Sequence, residues 1–196
     1  MTLHDVRSAD LRARIKFFAD KAFTNHVLLK EGDGRWYCGK PGTCIYSFRV
    51  IVAPRAVIVY GDIGEVILLP NDNDALAWLR GSVSGNAGDV DYALGKSPWD
   101  LRTRQFLPAE VEAYIAECEA NEDEQALGKK LRQGWELADQ ESPEAWAETC
   151  HEAGMDEWPN CDDWGNSMLW CYCGLQKFLQ LLAAEASRLQ KCRATL

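Results

Sequence analysis

The chain has 196 residues, 47% of them apolar, and a net charge of −9, which is enough for one large domain or two small ones with a substantial core. No run approaches the roughly 18 apolar residues that a membrane helix needs. Between Gln105 and Gly165 the chain carries 17 acidic and 3 basic side chains, net −14, a field that repels nucleic acid and attracts basic partners.

Ser8-Ala-Asp10 reads as a helix start, and Leu11, Ile15, Phe18 and Ala22 follow at the spacing of an amphipathic helix. Asn25 to Lys30 reads as a strand, Glu31-Gly-Asp-Gly34 as a turn, and Arg35 to Cys38 as the return strand. Tyr46 to Ala53 is β-branched and aromatic, Pro54-Arg55 interrupts it, Ala56 to Tyr60 resumes, and Gly61-Asp-Ile-Gly64 turns the chain into Glu65 to Leu69. Alternation assigns Tyr46, Phe48, Val50 and Val52 to the core face, with Arg49 on a wet one. Short connections suit antiparallel pairing, so these segments form a meander of four or five strands. After Pro70, Asn71 or Asp72 caps a short helix whose Leu76, Trp78 and Leu79 lie on the sheet.

The run Gly81 to Gly88, rich in glycine and serine, marks a connection between two halves. From Pro108 the periodicity is helical, with Val111, Ile115 and Cys118 as one stripe, then Leu127, Leu131 and Trp135 as another. Ser142-Pro143-Glu144 starts a further helix that turns Trp146, Cys150 and Ala153 inward. Asp156 to Gly165 reads as a turn-rich linker. In the last helix, Asn166 to about Arg193, Met168, Tyr172, Leu175, Leu179, Leu182, Ala186 and Leu189 form a sustained seam. Its expected partner is the other helices of this half, with a second copy of the chain as the alternative. The expected fold is therefore α+β: a helix and antiparallel sheet over residues 1–84, a connection over 85–104, and an acidic helical bundle over 105–196.

No catalytic pattern emerges. Zinc would need thiols and imidazoles converging from Cys150, His151, Cys161, Cys171 and Cys173, yet Cys171-Tyr-Cys173 on a helix directs its two thiols about 200° apart, the wrong spacing for a knuckle. None of His4, His26 and His151 sits in a nucleophile context. Gly85-Asn-Ala-Gly88 is not followed by the lysine and hydroxyl residue of a phosphate loop. Gly61-Asp62-Ile63-Gly64 reads as a hairpin in which the glycines take positive φ and Asp62 bonds its own backbone. No enzyme activity, metal or cofactor is expected. The eight cysteines are expected as reduced thiols: Met1 to Arg7 lacks the apolar segment of a secretory signal, which predicts a cytosolic protein.

The acidic stretch holds the functional expectation. Glu110, Glu117, Glu119, Glu122, Asp123, Glu124, Asp156, Glu157, Asp162 and Asp163 are candidate partner-binding carboxylates, with Trp158 and Trp164 as apolar anchors within that charged rim. The arrangement fits a mimic of nucleic acid that occupies the basic groove of a DNA- or RNA-handling protein. The alternatives are a structural or regulatory homodimer built on the C-terminal seam and, third, a small enzyme without a recognisable motif.

Four stretches together, Asp33-Gly-Arg-Trp-Tyr37, Pro41-Gly-Thr-Cys-Ile-Tyr-Ser-Phe48, Gly61-Asp-Ile-Gly64 and Leu169-Trp-Cys-Tyr-Cys173, resemble an uncharacterised family of phage and prophage proteins. This chain has Ala53-Pro54-Arg55 where those relatives tend to have tryptophan, proline and glycine, and Ile63 in place of methionine. The resemblance implies a phage or mobile-element accessory protein acting in the bacterial cytosol, where small acidic proteins often inhibit host defence, as anti-CRISPR proteins do.

Overall fold

The computed structural model describes residues 3–83, 87–157, 159 and 161–194. In chain order the elements are helix α1 (Leu3–Ala22), strands β1 (Val27–Gly32), β2 (Arg35–Gly39), β3 (Phe48–Ala53), β4 (Ala56–Gly61) and β5 (Gly64–Leu68), then α2 (Ala75–Ser82) and α3 (Ala87–Leu94). After a 3-10 turn at Trp99–Leu101 come β6 (Arg104–Phe106), α4 (Pro108–Ala120), α5 (Gln125–Leu137), α6 (Pro143–Glu152), β7 (Asp162–Trp164) and α7 (Asn166–Ala194). The fold is α+β. Contacts divide it into two compact units, a sheet unit of Arg12–Thr103 with Gly165–Leu196 and an acidic unit of Met1–Leu11 with Arg104–Trp164.

In the sheet unit the strands pair antiparallel in the order β1-β2-β3-β4-β5. Period-two alternation decides which face is buried. Cys38, Phe48, Val50, Val57, Val59, Val66 and Leu68 lie within the core. Tyr37, Arg49, Tyr60 and Glu65 stand in register across the other face, where Arg49 pairs with Glu31 at 3.1 Å. Val52 is only half-buried, and Tyr46 lies outside the strand at φ +59.

The expected stripe of α1, Leu11, Ile15, Phe18 and Ala22, is buried, although the helix begins at Leu3 rather than at Ser8. Asp74, not Asn71 or Asp72, caps α2: its carboxylate accepts the Ala77 N–H at 2.9 Å, while Asp72 accepts the N–H of Asp74. Of the connection expected at 85–104, residues 85 and 86 lie outside the described residues, and most of the remainder is helical.

The C-terminal helix departs from the bundle expectation. Within the sheet unit α7 packs on β5, β1, β3 and β4, so its seam is covered by the sheet. Met168, Cys171, Tyr172, Leu175 and Phe178 are buried there, and the Phe178 ring sits 5.3 Å from that of Trp36. The physical reason is that a sheet face of Val and Phe needs an apolar cover, and a helical seam supplies one as readily to a sheet as to another helix. The seam is not used throughout: Ala186 and Leu189 are exposed.

The acidic unit has its own core. Val111, Ile115 and Cys118 of α4 meet Leu131 and Trp135 of α5 and Trp146 and Cys150 of α6, with Cys161 completing the cluster. Trp135 and Trp146 pack edge to face with centroids 5.7 Å apart, a favoured aromatic geometry, and the Trp146 indole N–H donates to the Pro159 carbonyl at 3.4 Å. Ser142 caps α6 by accepting the Ala145 N–H, as its Ser-Pro sequence predicts. Among the described residues, no helix is long and apolar enough to cross a membrane.

Candidate functional site

The helices of the acidic unit turn their apolar stripes to the core, and that choice fixes which carboxylates reach solvent. Glu117 near the end of α4, Glu122, Asp123 and Glu124 in the loop to α5, and Asp156 and Glu157 after α6 are all exposed. The loop is shaped locally: the Asn121 side chain accepts the Asp123 N–H at 3.2 Å, an Asx turn within the run of three exposed acids. The only exposed lysines described in this unit are Lys129 and Lys130 of α5.

Other predicted site residues serve the fold instead. Glu119 and Glu112 of α4 both bind Arg132 of α5, Glu119 at 3.2 Å. Hydrogen bonding to Glu119, then to Glu112, holds the guanidinium above its ordinary pKa, and the trio clasps α4 to α5. Glu110 is 1% exposed, in the first turn of α4, and is not available to a partner. Asp163 and Trp164 are buried as well, because β7 pairs with β6 in the register Arg104↔Trp164, Gln105↔Asp163 and Phe106↔Asp162. There the Arg104 guanidinium lies 4.0 Å from the Trp164 ring centroid and 3.7 Å from the half-buried Asp162. The surface roles expected for Glu110, Asp163 and Trp164 are therefore corrected to structural ones. Trp158 lies outside the described residues.

A second acidic edge lies apart from the predicted site residues. Glu136, Asp139, Glu141 and Glu144 are exposed between the end of α5 and the start of α6, and among them Leu137 is 86% exposed. The signal was present: Leu137 stands two residues beyond Trp135 and so falls about 200° around the helix from the buried stripe.

The remaining candidate chemistry is accounted for by packing. Asp62 of the Gly61–Gly64 turn accepts the backbone N–H of Tyr46 at 2.6 Å, not its own backbone, while Gly61 and Gly64 take positive φ as expected. The turn borders an open hollow of about 400 Å³ with Tyr46, Ser167 and Trp170. Cys171 donates to the Ile63 carbonyl and Cys173 to the Ile15 carbonyl, each at 3.7 Å, so the two thiols point to different neighbours. Burial pushes both up to about 12, and the same holds for Cys38 and Cys150; such thiols stay protonated near neutrality. Among the described residues no three His, Cys, Asp or Glu side chains converge to hold a metal ion. No protein-family model, curated protein or solved structure matches the chain.

Proposed function

We propose that the protein is a non-enzymatic binding protein whose acidic unit occupies the basic groove of a nucleic-acid-handling partner. The observation that carries this reading is the division of labour within α4 to α6: their apolar stripes are consumed in a tryptophan core, while Glu117, Glu122, Asp123 and Glu124 stand together in sequence and exposed to solvent. Carboxylates presented from helices and a short loop offer the charge that such a groove selects, and association driven this way is fast and weakened by salt. The likeness to phage and prophage proteins supplies the setting, in which the target is a host defence complex such as a CRISPR effector. The experiment is capture of partners from a bacterial lysate by the wild type and by a variant with these four acids changed to lysine, washed at low and at high salt. The expected result is a basic nucleic-acid-binding protein held by the wild type at low salt only, displaced by added nucleic acid, and absent from the variant. Equal capture by the variant would overturn the reading.

A second reading, a homodimer, draws on the exposed seam residues Ala186 and Leu189 of α7. Light scattering separates the two: a dimer of the wild type that becomes a folded monomer on Leu189→Glu favours self-association.

A further inference from the structure

The faces of α5 and α6 that turn away from the tryptophan core leave a groove between the two helices. Gly134 makes this possible: a Cβ there would lie 3.0 Å from the Thr149 methyl, so the helices approach closely at that level. The Thr149 hydroxyl is turned back on its own helix, donating to the Ala145 carbonyl at 2.8 Å, which leaves the methyl facing α5. The result is an open cavity of about 270 Å³, floored by Gly134, Thr149 and Ala153, with Leu137, Lys130 and Glu152 on its walls. Leu137 stands 86% exposed at this edge, the most exposed large apolar side chain among the described residues.

Charge decides what fits. On the walls Glu152 and Lys130 offset one another, while Glu136, Asp139 and Glu141 are exposed at and just beyond the end of α5. The last turn of α5 carries no basic residue, so these three acids and the negative end of the helix dipole make the field there acidic. A second copy would bring the same acidic unit against itself, and nucleic acid or an anionic membrane would be repelled likewise. A small-residue floor between two helices accepts the side-chain ridge of a third.

We infer that the α5–α6 groove docks a basic amphipathic helix of a partner protein, with Leu137 and the groove floor taking its apolar stripe and the surrounding carboxylates taking its lysines or arginines. The inference rests on the acidic-partner reading above and gives that partner a specific contact. It also assigns the exposed leucine a role that charge alone does not need.

The test uses the full chain and a fluorescein-labelled helical peptide of lysine, alanine and leucine, about 18 residues long so that it is helical in water, beside a control of equal charge in which glutamine replaces leucine. Binding is read by fluorescence anisotropy against salt, and folding of each variant by circular dichroism. The expected result is tighter binding of the leucine peptide, and at least a tenfold loss on Leu137→Ser, the scale of one buried leucine. Glu136→Lys with Asp139→Lys should weaken binding and flatten its salt dependence. Equal affinity for the two peptides, or no effect of Leu137→Ser, would overturn the groove and leave the wider acidic reading standing. No binding of either peptide at low salt would overturn both. Binding lost on Leu137→Ser but unaffected by reversal of Glu122, Asp123 and Glu124 would keep the groove and remove the α4–α5 loop from the interface.

Discussion

The carboxylate of Asp62 accepts the backbone N–H of Tyr46 at 2.6 Å, which fastens the β4–β5 turn to the segment that enters β3. Tyr46 is held at φ +59, a region costing a residue with a Cβ about 1–2 kcal/mol. His26 Nε2, donating to the Tyr46 carbonyl at 3.1 Å, and the Trp170 ring, stacked 4.9 Å away, help to hold it there. Asp62→Ala removes the charged acceptor and should cost about 1–2 kcal/mol in urea unfolding, with Asp62→Asn recovering part of it. An Asp62→Ala protein as stable as the wild type would show that the ring stack and His26 hold the turn unaided.

Arg55 tests the strain in the other direction. Pro54-Arg55 is the two-residue loop between the paired Ala53 and Ala56, and Arg55 sits at φ +62, where glycine is at ease and arginine is not. Arg55→Gly relieves about 1–2 kcal/mol of strain and loses about 0.5–1 kcal/mol to the freer unfolded chain. A small net gain is expected, seen as a higher urea midpoint with an unchanged slope. A lower midpoint would mean that the arginine side chain contributes more than its backbone costs.

The elements were largely legible because their apolar residues repeat with the period of the structure they form. Phe48, Val50, Val57 and Val59 alternate as strand residues do, and Val111, Ile115 and Cys118 follow one helical stripe. The partner of a stripe is not written in its period, however. The seam of α7 suits a helix or a sheet equally, and only the competing demand of the five-stranded face sends it there. The strands β6 and β7 are three residues each, too short to show alternation, and Arg104, Asp162 and Asp163 argue locally for solvent. Glu110 shows the same limit within the site: it lies about 20° from Glu117 around α4, yet one is buried and the other exposed, a difference that helical phase cannot carry.

Thiol chemistry should divide the cysteines sharply. Cys44 and Cys192 are exposed and the other six are buried. A disulfide reagent at neutral pH should therefore modify two thiols in the folded protein and all eight in guanidinium. A third fast-reacting thiol in the native protein would locate a site of local opening.

Alkaline pH should unfold the protein through the same groups. Burial, reinforced for Cys171 by the nearby Glu65, raises Cys38, Cys150, Cys171 and Cys173 from 9.0 to about 12 in the folded state. A raised folded-state pKa favours the protonated fold, so the contribution is intact below about pH 9 and is lost between about 9 and 12, as the unfolded thiols ionise first. The unfolding temperature should fall across that window. In Cys173→Ala the fall should be shallower, by up to about 1.4 kcal/mol per pH unit. Parallel curves for wild type and variant would remove Cys173 from the linkage.

Two helical glycines should respond to alanine with opposite signs. At Gly128 on α5 a Cβ would lie 2.7 Å from the Glu119 backbone nitrogen and 3.0 Å from the Cys118 carbonyl carbon. These are main-chain atoms of α4, so the helices must move apart, loosening the Arg132 clasp and the Leu131 contacts beneath it. Overpacking of this kind costs about 1–3 kcal/mol, more than the gain of about 1 kcal/mol from replacing a helical glycine. At Gly81 on α2 nothing lies within 4 Å of the added carbon, and only the helical gain remains. Gly128→Ala should therefore unfold at lower urea than the wild type and Gly81→Ala at higher. Stabilisation by both would mean that α4 and α5 sit farther apart at their crossing, and destabilisation by Gly81→Ala would mean that the end of α2 needs glycine for a reason other than space.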